Sequence, residues 1–196
     1  MRVLSDASCG TSIFSTRGTR LVETRTDRIV VADDQTVEAE RRGPAADYTV
    51  VSAGVERKDP LEDSRREGLL AVPENLDGRI ADLARQLIPD GATARGKAAA
   101  IEAYFHRNYK YHIGIQVPRG LDPLVYFLTE RPPAHCEYFA SAAAILLRLS
   151  GVPCRYVTGF VVREQNALGD YWLARNRDSH AWVEAWDEAT GWFIVE

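Results

Sequence analysis

One nearly uniformly apolar stretch, from Cys136 to Leu149, constrains the fold of this chain more than any other feature. A pair of prolines precedes it, and Gly151 and Pro153 follow it. Alanine, leucine and isoleucine leave almost no polar face, which is typical of a helix buried on most sides. A glycine just past the last helical residue, with a proline beyond it, predicts that the helix ends near Ser150. We therefore expect a central helix with Cys136 in its first turn.

The chain after this helix predicts an antiparallel sheet. The runs "CRYVTGFVV", "DYWLARN", "SHAWVEAWD" and "GWFIVE" are rich in β-branched and aromatic residues, and "DEATG" suits a hairpin connection. Before the helix, "NLDGRIADLARQLI" repeats apolar residues at helical spacing. Thr93 is suited to cap a second helix, and Asp122 followed by Pro123 predicts the start of a third.

The N-terminal part has a different pattern. Between Ser12 and Val55, the short runs "SIFST", "RLVET", "DRIVVADD" and "ADYTVVSAGVE" predict a small meander of strands. The charged stretch "ERKDPLEDSRREG" lacks apolar periodicity and predicts a solvated connector. We therefore divide the chain into a β-rich region, residues 1–68, and an α+β core, residues 69–196.

Composition excludes several classes of function. The 24 Lys and Arg against 28 Asp and Glu give a formal charge of −4 without a basic block, so nucleic acid is not an expected partner. No apolar run approaches the roughly 20 residues needed to span a bilayer, so we expect the printed chain to be soluble. Because it stops at Glu196 inside a predicted strand, we expect it to belong to a longer protein.

The three cysteines do not form a recognisable framework. Cys9, Cys136 and Cys154 are odd in number and lack metal-ligand spacing, so neither a disulfide framework nor a zinc knuckle is encoded. A zinc site that also used His135 and His180 is chemically conceivable, but the ligand spacing speaks against it. We expect no metal and no cofactor. Cys154 is interpreted as a packing residue, Cys9 as incidental and His135 as a loop residue.

Cys136 and His180 are the candidates for chemistry. A thiol at a helix N-terminus faces unsatisfied N–H groups and the positive end of the helix dipole, which favour the thiolate. His180 begins a predicted strand, and Glu196 on the next strand is placed to hold the second ring nitrogen. A buried cysteine or a strand histidine is more often structural, so both interpretations remain open from position alone.

The combination of motifs resembles the transglutaminase-like superfamily. "HCEYFASAAAILLRLSGVPCRYVTGF" and "DSHAWVEAWDEATGWFIVE" are similar to the family's cysteine helix, its Gly-Val-Pro-x-Arg turn, its His-Ala-Trp-x-Glu strand and its final Gly-Trp strand. The family more often has glycine before the nucleophile, where this chain has Ala134 and His135, and aspartate where it has Glu196. Upstream, "YTVVSAG" and "VPENLDGRIADLARQL" resemble the extracytoplasmic domain of bacterial membrane-anchored proteins of the TgpA type.

The resemblance implies an α+β papain-like fold and cysteine-dependent acyl transfer through a thioester on a glutamine or peptide amide. It places the nucleophile at Cys136, the base at His180 and the third member at Glu196. The backbone N–H of Cys136 and the hydroxyl of Tyr111 become candidate oxyanion donors. Hydrolysis of the same kind of amide, as in a cysteine protease or amidase, and a silent scaffold binding a partner or cell-wall polymer are the alternatives. A protein or peptide substrate and an extracytoplasmic location follow by resemblance.

Overall fold

The computed structural model describes residues 1–4, 12–16, 19–24, 28–31, 36–39, 47–52 and 61–196. The chain divides into two compact units, Met1–Lys58 and Asp59–Glu196. The expected connector, residues 56–68, is wrong from Asp63 onward, because Asp63–Leu70 forms a helix, α1, with no fully buried residue. Arginine, glutamate and leucine are good helix formers, and α1 contacts the rest of the second unit. The predicted boundary at residue 68 therefore lies inside a helix.

The described residues of the first unit form five strands: β1 (Arg2–Leu4), β2 (Thr19–Thr24), β3 (Ile29–Val31), β4 (Val37–Ala39) and β5 (Asp47–Ser52). The expected meander is wrong, because β5 lies between β1 and β2 in an antiparallel sheet. Among the described strands of this unit, only β3 and β4 are neighbours in both sequence and space. A small core holds the unit together, made of Ile13, Ala39, Tyr48 and Val50.

The predicted strand "SIFST" is also wrong. Ser12 makes a single bridge to Glu38, and the residues after it are not in a strand. The reason lies in the Tyr48 hydroxyl, which accepts from the backbone N–H of Phe14 at 2.8 Å and donates to its carbonyl at 3.1 Å. One side chain thus satisfies backbone groups that a neighbouring strand would otherwise pair.

The second unit has four further helices: α2 (Gly78–Leu87), α3 (Ala94–Asn108), α4 (Pro123–Glu130) and α5 (Cys136–Leu149). The predicted caps are confirmed. Thr93 accepts from the backbone N–H of Gly96 at 3.1 Å, and Asp122 accepts from two N–H groups at the start of α4. Gly151 has φ +77° after the end of α5, a conformation that favours glycine. Local sequence signals therefore define all three predicted upstream helices and the central one.

The strands of the second unit are β6 (Cys154–Phe160), β7 (Glu164–Asn166), β8 (Tyr171–Leu173), β9 (Ser179–Asp187) and β10 (Gly191–Val195). Strands β10, β9 and β6, in that spatial order, form an antiparallel sheet. Strands β7 and β8, which lie between β6 and β9 in the sequence, pair as a separate hairpin. Helix α5 packs on β9, and many of the side chains buried between them are small. The buried alanines of the two elements are Ala140, Ala142, Ala143, Ala144, Ala181 and Ala185. This is the predicted α+β core, a cysteine helix packed on an antiparallel sheet.

None of the helices in the described ranges combines the length and the apolar character that crossing a membrane requires.

Candidate active site

The loop before α5 fixes the position of Cys136. Ala134 pairs with Tyr111 in a parallel bridge: its N–H donates to Lys110 at 3.1 Å, and its carbonyl accepts from His112 at 2.8 Å. Ala134 is fully buried and Cys136, the first residue of α5, is half-buried. The thiol therefore lies at the positive end of a buried helix and still reaches solvent.

Tyr111 lies beside this thiol. Burial is the largest cause that raises the pKa of Tyr111, followed by the charge of the Cys136 thiol and a hydrogen bond with it. A hydrogen bond from the Cys136 backbone N–H acts in the opposite direction. The Tyr111 ring also stacks on Phe139, with centroids 6.4 Å apart. A tyrosine hydroxyl is protonated at neutral pH and a raised pKa does not change this, so the group is available as a donor next to the sulfur.

His180 is the second residue of β9 and lies opposite Gly159 of β6. Its Nε2 is 2.7 Å from Glu196 Oε1, a distance at which the nitrogen donates to the carboxylate. The imidazole stacks on Trp182 with an interplanar angle of 19°. A Cβ at Gly159 would come within 2.8 Å of the Trp182 ring, so glycine leaves room for this stack. With Nε2 engaged, Nδ1 is the nitrogen available to other groups.

Glu196 follows the last residue of β10. Its side chain is 62% exposed, and its backbone N–H donates to Glu102 Oε1 on α3 at 3.1 Å. The structure thus brings the predicted third member to the predicted base.

A single cavity of about 250 Å³ is lined by all four predicted site residues, Tyr111, Cys136, His180 and Glu196. Most of its wall is apolar, and Glu102 and His106 of α3 add polar groups at one side. The apolar and aromatic lining consists of Ile101, Phe105, Tyr109, Phe139, Ala140, Ala143, Ala181, Trp182 and Val195. We expect the Cys136 sulfur to lie roughly 3 to 4 Å from a ring nitrogen of His180, and this distance stays a prediction.

Other residues weighed from the sequence have different surroundings. Cys154 is completely buried, its thiol donates to the Ala144 carbonyl at 3.4 Å, and burial raises its pKa to about 11. His135 Nε2 is 3.3 Å from Glu137 Oε2. Glu184 is buried and forms an ion pair with Arg155.

The two remaining expectations concern a metal site and Cys9. Within the described ranges, no group of three or more His, Cys, Asp or Glu side chains is arranged to hold a metal. Cys9 lies outside the described residues.

Sequence reasoning missed the contribution of α3. The sequence analysis does not single out Glu102, the one acidic residue of the helix that Thr93 caps. The available signal is a charge placed between the apolar residues Ile101 and Phe105.

A buried helix that begins with a cysteine and packs on an antiparallel sheet bearing a histidine and a carboxylate defines a papain-like α+β fold. The chain belongs to the transglutaminase-like superfamily, whose family model matches residues 81–196.

Individual relatives agree with this assignment. The chain is 30% identical over 141 residues to a protein-glutamine gamma-glutamyltransferase of Pseudomonas aeruginosa, covering 71% of this chain and 21% of the relative. It is 30% identical over 147 residues to YebA of Bacillus subtilis, covering 71% and 20%. The chain thus spans about a fifth of the length of these relatives. The crystal structure of the periplasmic domain of TgpA from Pseudomonas aeruginosa, bound to ethylmercury, superposes with a TM-score of 0.84 at 26% identity, over 100% of this chain and 70% of that one.

Proposed function

We propose that the chain catalyses acyl transfer from a glutamine or peptide amide through a thioester on Cys136. The observation that carries the proposal is the 2.7 Å contact between His180 Nε2 and Glu196 Oε1 in the cavity that also contains Cys136. A base oriented by a carboxylate beside a helix-terminal thiol is the arrangement that activates a cysteine nucleophile. The 30% identity to a protein-glutamine gamma-glutamyltransferase supports this reaction class.

In the first half-reaction, His180 Nδ1 takes the thiol proton and the Cys136 sulfur attacks the amide carbon. The tetrahedral intermediate collapses when the carbon–nitrogen bond breaks and the leaving nitrogen takes a proton from the imidazolium. Ammonia leaves from a glutamine side chain, or an amine leaves from a peptide bond. Glu196 holds the imidazole with Nε2 protonated, which leaves Nδ1 free to act as base.

In the second half-reaction, a nucleophile replaces the sulfur. A primary amine loses a proton to His180, attacks the thioester carbon and forms a new amide, and the sulfur leaves and takes the proton back. Water in place of the amine gives a carboxylate, so the same site acts as an amidase or protease. The mostly apolar wall of the cavity favours the hydrocarbon part of an amine over bulk water.

The oxyanion of the intermediate needs donors, and the hydroxyl of Tyr111 is our candidate together with the Cys136 N–H. Tyr111→Phe is expected to lower kcat by roughly 10²-fold, because one donor to the developing charge is lost. Tyr171→Phe, at an exposed tyrosine of β8, is the matched control and should retain wild-type rates. Steady-state kinetics of both variants test this role. Equal kcat for Tyr111→Phe and wild type would assign the second donor to another group.

We further propose that the domain works outside the cytoplasm as part of a longer, membrane-anchored protein that modifies protein or peptide substrates. The likeness to a periplasmic domain supports this location. Protease accessibility of the domain in spheroplasts expressing the full gene is the test, and protection from added protease would contradict it.

Alkylation by iodoacetamide, followed peptide by peptide in a mass spectrometer, tests the proposal without a known substrate. Cys136 should react at least about 10-fold faster than free cysteine at pH 7, because it lies at a helix N-terminus in the same cavity as an imidazole that can take its proton. Cys154 should remain unmodified, since burial raises its pKa to about 11. The His180→Ala variant should slow alkylation of Cys136. A Cys136 rate no faster than free cysteine would favour the silent scaffold.

Incorporation of dansylcadaverine into casein then distinguishes transfer from hydrolysis. Amine incorporation supports the transferase, whereas ammonia release without incorporation supports the amidase.

A further inference from the structure

The carboxylate of Glu102 contacts the segment that carries the proposed third member of the site. Glu102 lies in the middle of α3 and is half-buried at the wall of the cavity. Its Oε1 accepts the backbone N–H of Glu196 at 3.1 Å. The two residues are 94 positions apart in the chain, so the contact joins the helical layer to the end of the sheet.

The neighbourhood of Glu196 explains why such a contact matters. Glu196 directly follows Val195, which pairs with Val183 in the ladder between β10 and β9. Its side chain is 62% exposed and therefore receives little restraint from packing. A hydrogen bond to the backbone of this residue therefore restrains where its carboxylate lies.

The anchor itself is firmly held. Ile101 is completely buried and Phe105 is 8% exposed, so the residues that flank Glu102 on α3 belong to the main core. Helix α3 also contacts α5, β9 and β10, the three elements that carry the site. Because α3 is firmly packed in the core, a hydrogen-bond acceptor on this helix can hold the backbone of Glu196 in place.

We propose that Glu102 is a positioning residue, which fixes the backbone of Glu196 so that its carboxylate meets His180 Nε2. The inference rests on the proposed function, because it assigns Glu102 a role only through Glu196. What the geometry requires at residue 102 is a hydrogen-bond acceptor and not a negative charge. Glutamine retains that acceptor, whereas alanine and methionine remove it.

The experiment measures kcat and KM for dansylcadaverine incorporation, and the thermal midpoint, in matched variants. Glu102→Ala is expected to lower kcat about 10-fold with KM within about 2-fold, the scale of one lost hydrogen bond that orders a catalytic group. Glu102→Gln should stay within about 2-fold of wild type. Arg107→Ala, an exposed truncation on the same helix, is the control. If the alanine variant is unfolded, Glu102→Met keeps the length of the side chain and takes its place.

A double-mutant cycle identifies the route of the effect. In the Glu196→Gln background, Glu102→Ala should lower kcat by less than about a further 2-fold, because the carboxylate that Glu102 positions is already absent. A full additional 10-fold loss there would overturn the inference, since Glu102 would then act elsewhere.

Two other results would also overturn it: equal losses for the glutamine and alanine variants, or wild-type kcat for alanine while Glu196→Gln is impaired. If Cys136→Ala retained incorporation, the proposed function itself would fail.

Discussion

Replacing Cys136 with alanine is expected to lower the rate of acyl transfer by at least about 10⁴-fold, the scale on which enzymes respond to loss of their nucleophile. The sulfur forms the covalent bond of the proposed thioester, and alanine offers no atom that can replace it. The fold should persist, because Cys136 is half-buried at the start of α5 and contributes one atom beyond alanine. Amine incorporation and ammonia release measure the activity, and circular dichroism with the thermal midpoint measures the fold.

Cys154→Ala is the matched control for this experiment. Cys154 is completely buried at the start of β6, with its thiol directed to the Ala144 carbonyl and away from solvent. Its replacement should leave kcat within about 2-fold of wild type and cost stability on the order of 1 kcal/mol. If instead Cys154→Ala abolished activity and Cys136→Ala did not, the proposed nucleophile would be wrong.

The second large effect is expected for Glu196→Gln, which should lower kcat by about 10³-fold. A carboxylate accepts a hydrogen bond from Nε2–H, which keeps the proton on Nε2 and leaves Nδ1 free as base. The glutamine amide can instead donate to Nε2, which favours the tautomer with the proton on Nδ1 and removes the base. Because the Glu196 side chain is largely exposed, we expect a smaller loss than for a fully buried orienting acid.

Glu196→Asp is the control that keeps the charge and shortens the side chain. It should retain more activity than the glutamine variant, and the difference between the two measures the value of the carboxylate. Wild-type kcat for Glu196→Gln would mean that a different acceptor orients the imidazole. Glu184 is a poor substitute because it is already paired with Arg155, so a backbone carbonyl would become the candidate.

The parts of the fold that could be predicted from sequence depend on local signals. Thr93 and Asp122 predict where their helices begin, because the side-chain oxygen of each accepts from N–H groups two or three residues further along the chain. The bounds of α5 follow from the prolines and Gly151, and β9 and β10 from alternating apolar residues around a short turn. Cys136 and His180 could be predicted because Cys136 is the first residue of α5 and His180 the second residue of β9.

The parts that could not be predicted depend on contacts between distant segments. The position of β5 between β1 and β2 cannot be predicted from local sequence, because each strand has the same short β-rich pattern whatever its neighbours in the sheet are. Glu102 looks like an ordinary surface charge of α3 until the sheet brings the backbone of Glu196 to it. Helix α1 was missed because its residues carry charge without periodicity.

The alanine-rich contact between α5 and β9 has a consequence for how the site tolerates change. The sulfur sits on the helix and the imidazole on the sheet, so the gap between them depends on the thickness of the side chains in between. Ala140, Ala143 and Ala181 each contribute a single methyl group beside the cavity. Larger residues there would push α5 and β9 apart, because extra atoms in a close-packed interior force the backbone to shift. We therefore expect larger residues at these three positions to lengthen the distance between the Cys136 sulfur and the His180 ring, which makes the size of these buried side chains a condition for catalysis.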